Sequence, residues 1–81
     1  MLYSKLFTVA SGNIVHGMNG IYVGKFNNTY SLSSGGIYLV ASFLEYTVVY
    51  YFAIAGYGSG NLYFNRLENN VWDFEVFKKI L

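Results

Sequence analysis

The stretch "IYLVASFLEYTVVYYFAIAGYG", residues 37–58, is the longest apolar run in the chain, and its conformation constrains everything else. Residues 37–55 number nineteen, about the length of a helix that crosses a bilayer core. Glu45, however, falls near the middle, where a carboxylate costs about 2.5–3.5 kcal/mol on insertion. Tyr38, Tyr46, Tyr50 and Tyr51 are spread along the run, whereas tyrosines of a spanning helix gather at the two interfaces. The flanks are glycine and serine, with no lysine cluster to orient a helix. Two strands explain the run better: Ile37 to Leu44 and Tyr46 to Ala55, with Glu45 at the bend, where its charge reaches water. Both are apolar on both faces, which places them in the middle of a structure or at an interface. A single membrane-spanning helix over 37–55 is the disfavoured alternative.

Glycine and asparagine punctuate the rest at regular intervals: "SGN" at 11–13, "NG" at 19–20, "NN" at 27–28, "SSGG" at 33–36, "GYGSGN" at 56–61 and "NN" at 69–70. Between them lie short segments rich in Val, Ile, Tyr, Phe and Thr, with no proline anywhere. Asn-Gly between apolar stretches is a hairpin signal, because a type I′ turn needs positive φ at both central residues. A two-residue loop at Asn19-Gly20 pairs Met18 with Ile21 and His16 with Val23. A second at Asn27-Asn28 pairs Val23 with Leu32. Together they put Ile14, His16, Met18, Ile21, Val23, Tyr30 and Leu32 on one face. The opening "MLYSKLFTVASG" alternates like a strand and lacks the longer apolar core of a signal peptide.

Near the end, a loop at Asn69-Asn70 sets Leu67 opposite Trp72 and Arg66 opposite Asp73, a pair of opposite charges. The rival is a short helix over 71–81, capped by Asn70, with Glu75 and Lys79 one turn apart and lysines in its last turn. The strand is favoured, since Trp72, Phe74 and Val76 alternate with Asp73 and Glu75. The expected fold is therefore a single all-β domain over residues 1–81. Six to eight short antiparallel strands form a meander that closes into a small barrel or folds into a two-layer sandwich. Its expected core includes Ile14, Val23, Leu32, Leu39, Val48, Phe52, Leu62 and Trp72.

A fold of 81 residues has a thin stability margin, and small folds compensate with disulfides, a metal or self-association. There is no cysteine and one histidine, so the first two are not at hand. Charged residues make up 11% of the chain, against about 25% in an ordinary soluble domain, while aromatic residues reach 21%. Tyrosine, with its apolar ring and polar tip, suits surfaces that are wet alone and dry in a complex. Tyr46, Tyr50, Tyr51 and Tyr57 are the interface candidates.

Reactive chemistry finds little to work with. The acids are Glu45, Glu68, Asp73 and Glu75, too few to build a metal site with one histidine. His16 is the single conventional base, and the hairpin register turns it inward. Asp73 and Glu75, two apart, read as a solvated strand face rather than an acid/base pair. No catalytic residue, cofactor or metal site is expected. The net charge of +1 gives no footprint for duplex nucleic acid. The expected function is that of a non-enzymatic structural or self-assembling β protein, of a composition that suits a virus-encoded or surface-assembly protein. Its expected partner is a second copy or another protein. The alternatives are a single-stranded nucleic-acid binder, stacking bases on Tyr22, Phe26, Tyr30 or Tyr63, and the single-span membrane protein.

Overall fold

Among residues 6–30, 32, 34–56 and 58–81, which the computed structural model describes, the chain forms seven strands and no helix. They are β1 (Phe7–Ala10), β2 (Gly20–Gly24), β3 (Gly36–Phe43), β4 (Tyr46–Ala53), β5 (Leu62–Glu68), β6 (Val71–Trp72) and β7 (Lys78–Lys79). The apolar run is a hairpin. β3 and β4 pair antiparallel from Gly36 opposite Ala53 to Phe43 opposite Tyr46, which leaves Leu44 and Glu45 as a two-residue turn. Leu44 takes a positive φ of 53° there, and Glu45 is exposed. A helix over 37–55 is thereby excluded, and no helix among the described residues is long and apolar enough to cross a membrane.

β5 continues the sheet beside β4. Its far edge carries β6 and β7 end to end, β6 against Leu67 and Glu68 and β7 against Tyr63 and Phe64. The turn between β5 and β6 is the one expected: Asn69 and Asn70 have φ of 53° and 64°, and Leu67 faces Trp72. Asp73 N donates to Arg66 O at 2.8 Å, and the Arg66 guanidinium meets the Asp73 carboxylate at the same distance. The alternative helix over 71–81 does not form, because β5 takes up the backbone at both ends of that segment.

The first half departs from the expected hairpins. β1 pairs with β2 in parallel and β2 pairs with β3 antiparallel, so both edges of β2 are occupied and none is left for residues 14–18. Asn19-Gly20 is therefore no hairpin loop. Gly20 opens β2 opposite Val40. Val23 faces Ile37 rather than Leu32, and the described residues between the turn at Asn27-Asn28 and β3 form no strand. The sheet is mixed, and its order β1-β2-β3-β4-β5-β6 does not close into a barrel.

The described residues of the two connections, 11–19 and 25–35, lie over one face of this sheet. Asn28 joins them: its Oδ1 accepts from Ile14 N and its Nδ2 donates to Ile14 O, both at 2.8 Å. They drive Ile14, Phe26 and Leu32 onto Tyr38, Val40, Val49, Tyr51 and Leu67. A row of rings crosses this interior from Tyr22 through Phe26, Tyr38 and Tyr51 to Tyr63, with neighbouring centroids 4.8–5.7 Å apart. Such pairs contribute about 0.5–1.5 kcal/mol each beyond area burial. The core differs from the expected one on the central hairpin and the strands beside it, where Val23, Val48 and Leu62 lie partly exposed on the outer face. Ile14 and Leu32 are buried as expected, and Trp72 packs half-buried against the core, but Leu39 and Phe52 are exposed on that outer face. Tyr38 and Tyr51 replace them inside, because each hydroxyl finds a partner. Tyr51 donates to the carbonyls of Ser34 and Gly35 at 2.6 and 3.1 Å, and Tyr38 meets the Thr29 hydroxyl at 3.5 Å.

Candidate interaction surface on the outer face of the sheet

Alternation along the strands sends every second side chain away from the two connections. The registers align these residues across five strands in two rows. One row runs Phe7, Ile21, Leu39, Tyr50, Phe64, and the other Val9, Val23, Ile37, Phe52, Leu62. Every one is aliphatic or aromatic. Leu39 is 51% exposed, Phe52 41% and Val9 77%, so this face lies open to solvent. Ile37, Leu39, Tyr50, Phe52 and Leu62 surround a shallow depression of about 360 Å³.

Charge appears only at the border of these rows. Arg66, beside Val48, holds its guanidinium 4.5 Å from the centre of the Tyr46 ring while paired with Asp73. The carboxylate of Glu68, then that of Glu45, raises the Tyr46 phenol above its ordinary pKa. Lys78 Nζ lies 5.7 Å from the Phe74 ring at the β7 edge. An apolar centre edged by charge and tyrosine has the anatomy of a protein interface.

Of the four tyrosines expected at an interface, Tyr50 is in the middle of this face and Tyr46 on its border. Tyr51 is not on it: it is 2% exposed and points into the core between Tyr38 and Tyr63. Tyr57 lies outside the described residues. Leu39 and Phe52, expected inside, are exposed members of the face. The signal that both faces of the central hairpin are apolar was present in the sequence. Which face is covered was not, because that depends on two distant connections.

His16 does not turn inward opposite Val23. It is exposed on the first connection, with Nδ1 3.1 Å from the Thr47 hydroxyl. The protons here can be assigned. Ser42 Oγ donates to the Met18 carbonyl at 2.7 Å, so the 3.0 Å bond between the Ser42 and Thr47 hydroxyls takes its proton from Thr47. Thr47 then has only its oxygen to offer, and His16 Nδ1 must be the donor. The imidazole therefore does not act as a base toward Thr47, which is fully buried. Among the described residues, no group of three His, Cys, Asp or Glu could hold a metal ion.

Of the aromatics proposed to stack on bases, Phe26 is 1% exposed and Tyr22 and Tyr63 belong to the interior row, which leaves Tyr30 alone at the surface. The chain matches no protein-family model, and it has no significant match among curated proteins or solved structures.

Proposed function

We propose that this chain is a non-enzymatic self-assembling protein whose outer sheet face packs against the same face of a second copy. The observation that carries the reading is the pair of uncharged five-residue rows lying open on an otherwise well-packed sheet. At strand spacings of about 4.8 Å and rises of about 3.4 Å per residue, the two rows cover roughly 330 Å² in projection. A stable interface takes about 800 Å² of accessible surface from each partner, so the two rows form its apolar centre and the bordering side chains of β3, β4 and β5 its rim. Two such faces stack about 10 Å apart with their side chains interleaved, which completes a sandwich of which one chain holds half. Edge-to-edge assembly at β7 is disfavoured by Lys78 and Lys79, which form that strand.

Light scattering on protein eluting from a size-exclusion column tests this directly. The expected result is a discrete species of twice the 9.2 kDa chain mass. A 9.2 kDa species that persists at submillimolar concentration would overturn it.

A further inference from the structure

A second concavity, on the other side of the molecule, is of a different chemical kind. It holds about 430 Å³, within the range of small-molecule sites, and lies where three segments meet. The first connection contributes Asn13, the second Asn28 and Tyr30, and the β5–β6 hairpin Asn70 and Trp72. We propose that this groove binds a neutral pyranose, as a free sugar or as a unit of a glycan.

No lining residue is charged, so the groove offers no counter-charge to a phosphate, a carboxylate or an ammonium group. A wholly apolar ligand is equally unsuited, because it would strip water from the carboxamides and the phenol without replacing it. What fits is a neutral molecule with hydrogen-bonding groups around its rim and an apolar face. A pyranose has both: one face of C–H bonds that packs on an aromatic ring, and hydroxyls that donate and accept.

Trp72 is set up as the platform. Its Nε1 donates to Asn28 O at 2.9 Å, and its ring packs 5.1 Å from that of Phe77, so the indole is fixed while a minor part of it stays accessible. Fixing the platform beforehand lowers the entropy that binding must overcome. Around it stand carboxamides from three separate segments, each able to both donate and accept. Asn28 spends one donor and one acceptor on Ile14 and keeps a second of each. Tyr30 is 83% exposed and supplies a second ring with a hydroxyl. Partners distributed around a ring suit a pyranose better than a nucleobase, whose polar atoms lie along edges. This site is separate from the outer face, so the inference does not depend on self-association.

Trp72 is the sole tryptophan of the chain, so its fluorescence reports this groove and nothing else. The probes are the methyl glycosides of glucose, galactose, mannose and N-acetylglucosamine, together with cellobiose, lactose and chitobiose. Adenosine and uridine serve as comparison. A saturable change in Trp72 emission with at least one sugar, in the millimolar range, is expected. Tyr30→Ala and Asn70→Gly should each weaken it at least fivefold. Neither should disturb folding, since Tyr30 is exposed and Asn70 already has a positive φ that glycine adopts readily. Binding of the methyl glycosides themselves would mark a site for single or terminal sugars, and binding of the disaccharides alone a site for glycan chains. The proposal is overturned if no sugar changes the emission, if the nucleosides bind and the sugars do not, or if both variants bind as the parent does.

Discussion

The side chain of Asn65 satisfies both main-chain groups of Phe74. Nδ2 donates to Phe74 O at 2.9 Å, and Oδ1 accepts from Phe74 N at 3.1 Å and from Arg66 N at 2.9 Å. Asn65 is 1% exposed, and it stands where β6 has ended and β7 has not begun. A side chain thus carries the far edge of β5 across a gap that backbone pairing leaves. Asn28 does the same for Ile14 between the two connections.

Replacing Asn65 by alanine removes these bonds and leaves their partners to find water. At about 1 kcal/mol per bond, and more where a buried group stays unpaired, the expected loss is about 2–3 kcal/mol. Urea unfolding measures it as a lower midpoint with an unchanged slope. A loss below about 0.5 kcal/mol, the level of an ordinary surface substitution, would show that the bridge does not hold this edge.

Leu44 is a poor residue for its position. At φ 53° its Cβ crowds the following carbonyl, at about 1–2 kcal/mol, and at 73% exposure the side chain recovers little by packing. Asparagine tolerates this conformation without glycine's entropy in the unfolded chain. Leu44→Asn should therefore stabilise the fold by about 0.5–1 kcal/mol, which for a chain of this size raises Tm by roughly 2–8 °C. Calorimetry decides it, and an unchanged or lower Tm would count against the strain.

Gly36 is required for space rather than for backbone freedom. A Cβ at this position would collide with Phe52 O and lie 2.6 Å from Tyr51 Cε1, both fixed parts of the sheet and its core. Gly36→Ala is expected to cost about 2–4 kcal/mol in chemical denaturation. Gly12→Ala is the contrast. Nothing lies within 4 Å of a Cβ there, and only its φ of 67° resists, so about 1–2 kcal/mol should be lost. Equal costs at the two sites would contradict the crowding at Gly36.

What the sequence made legible is what neighbouring residues decide among themselves. The Asn69-Asn70 turn, the Leu67–Trp72 and Arg66–Asp73 pairings and the bend at Glu45 all join segments that are adjacent in the chain, and all are present. The parallel pairing of β1 with β2 spans a whole connection, and nothing in "SGNIVHGMNG" announces it against the nearer hairpin signal of Asn19-Gly20. The inner and outer faces of the central hairpin failed for another reason. Leu39 and Phe52 are more apolar than Tyr38 and Tyr51, but hydroxyl partners supplied by Thr29, Ser34 and Gly35 make the tyrosines the buried set. Of the candidate interface, Tyr50 and Tyr46 were foreseeable as surface tyrosines. The two apolar rows are visible only once four registers are known.

Those buried tyrosines make stability depend on alkaline pH. Burial raises the phenols of Tyr38 and Tyr51 above the ordinary value of 10.0, which the unfolded chain recovers. Below about pH 10 both states keep the protons and stability is undiminished. Above it, the unfolded chain releases protons that the folded chain retains, so stability falls as pH rises through the folded pKa. Urea midpoints at pH 8, 10 and 11 should decline in that order. Tyr51→Phe should be less stable at pH 8, by about 1–2 kcal/mol for its two lost bonds, yet decline less steeply. A parallel decline would assign the alkaline loss to other groups.

The outer face can be tested without disturbing the fold that presents it. Leu39 and Phe52 belong to adjacent strands and neighbouring rows, and both are already half in water, so Leu39→Lys and Phe52→Lys should leave the unfolding midpoint of the isolated chain nearly unchanged. In a face-to-face dimer the same lysines would be buried without partners. An unpaired charge at an interface costs about 2–5 kcal/mol, which weakens association by on the order of a hundredfold or more. Each variant should therefore elute as a single chain at concentrations where the parent is a dimer. Tyr30→Lys, a charge placed on the exposed surface of the second connection, should leave the dimer intact. If Leu39→Lys and Phe52→Lys keep the parent's size while Tyr30→Lys dissociates it, the interface is on the covered side of the sheet, and the two apolar rows serve some other partner.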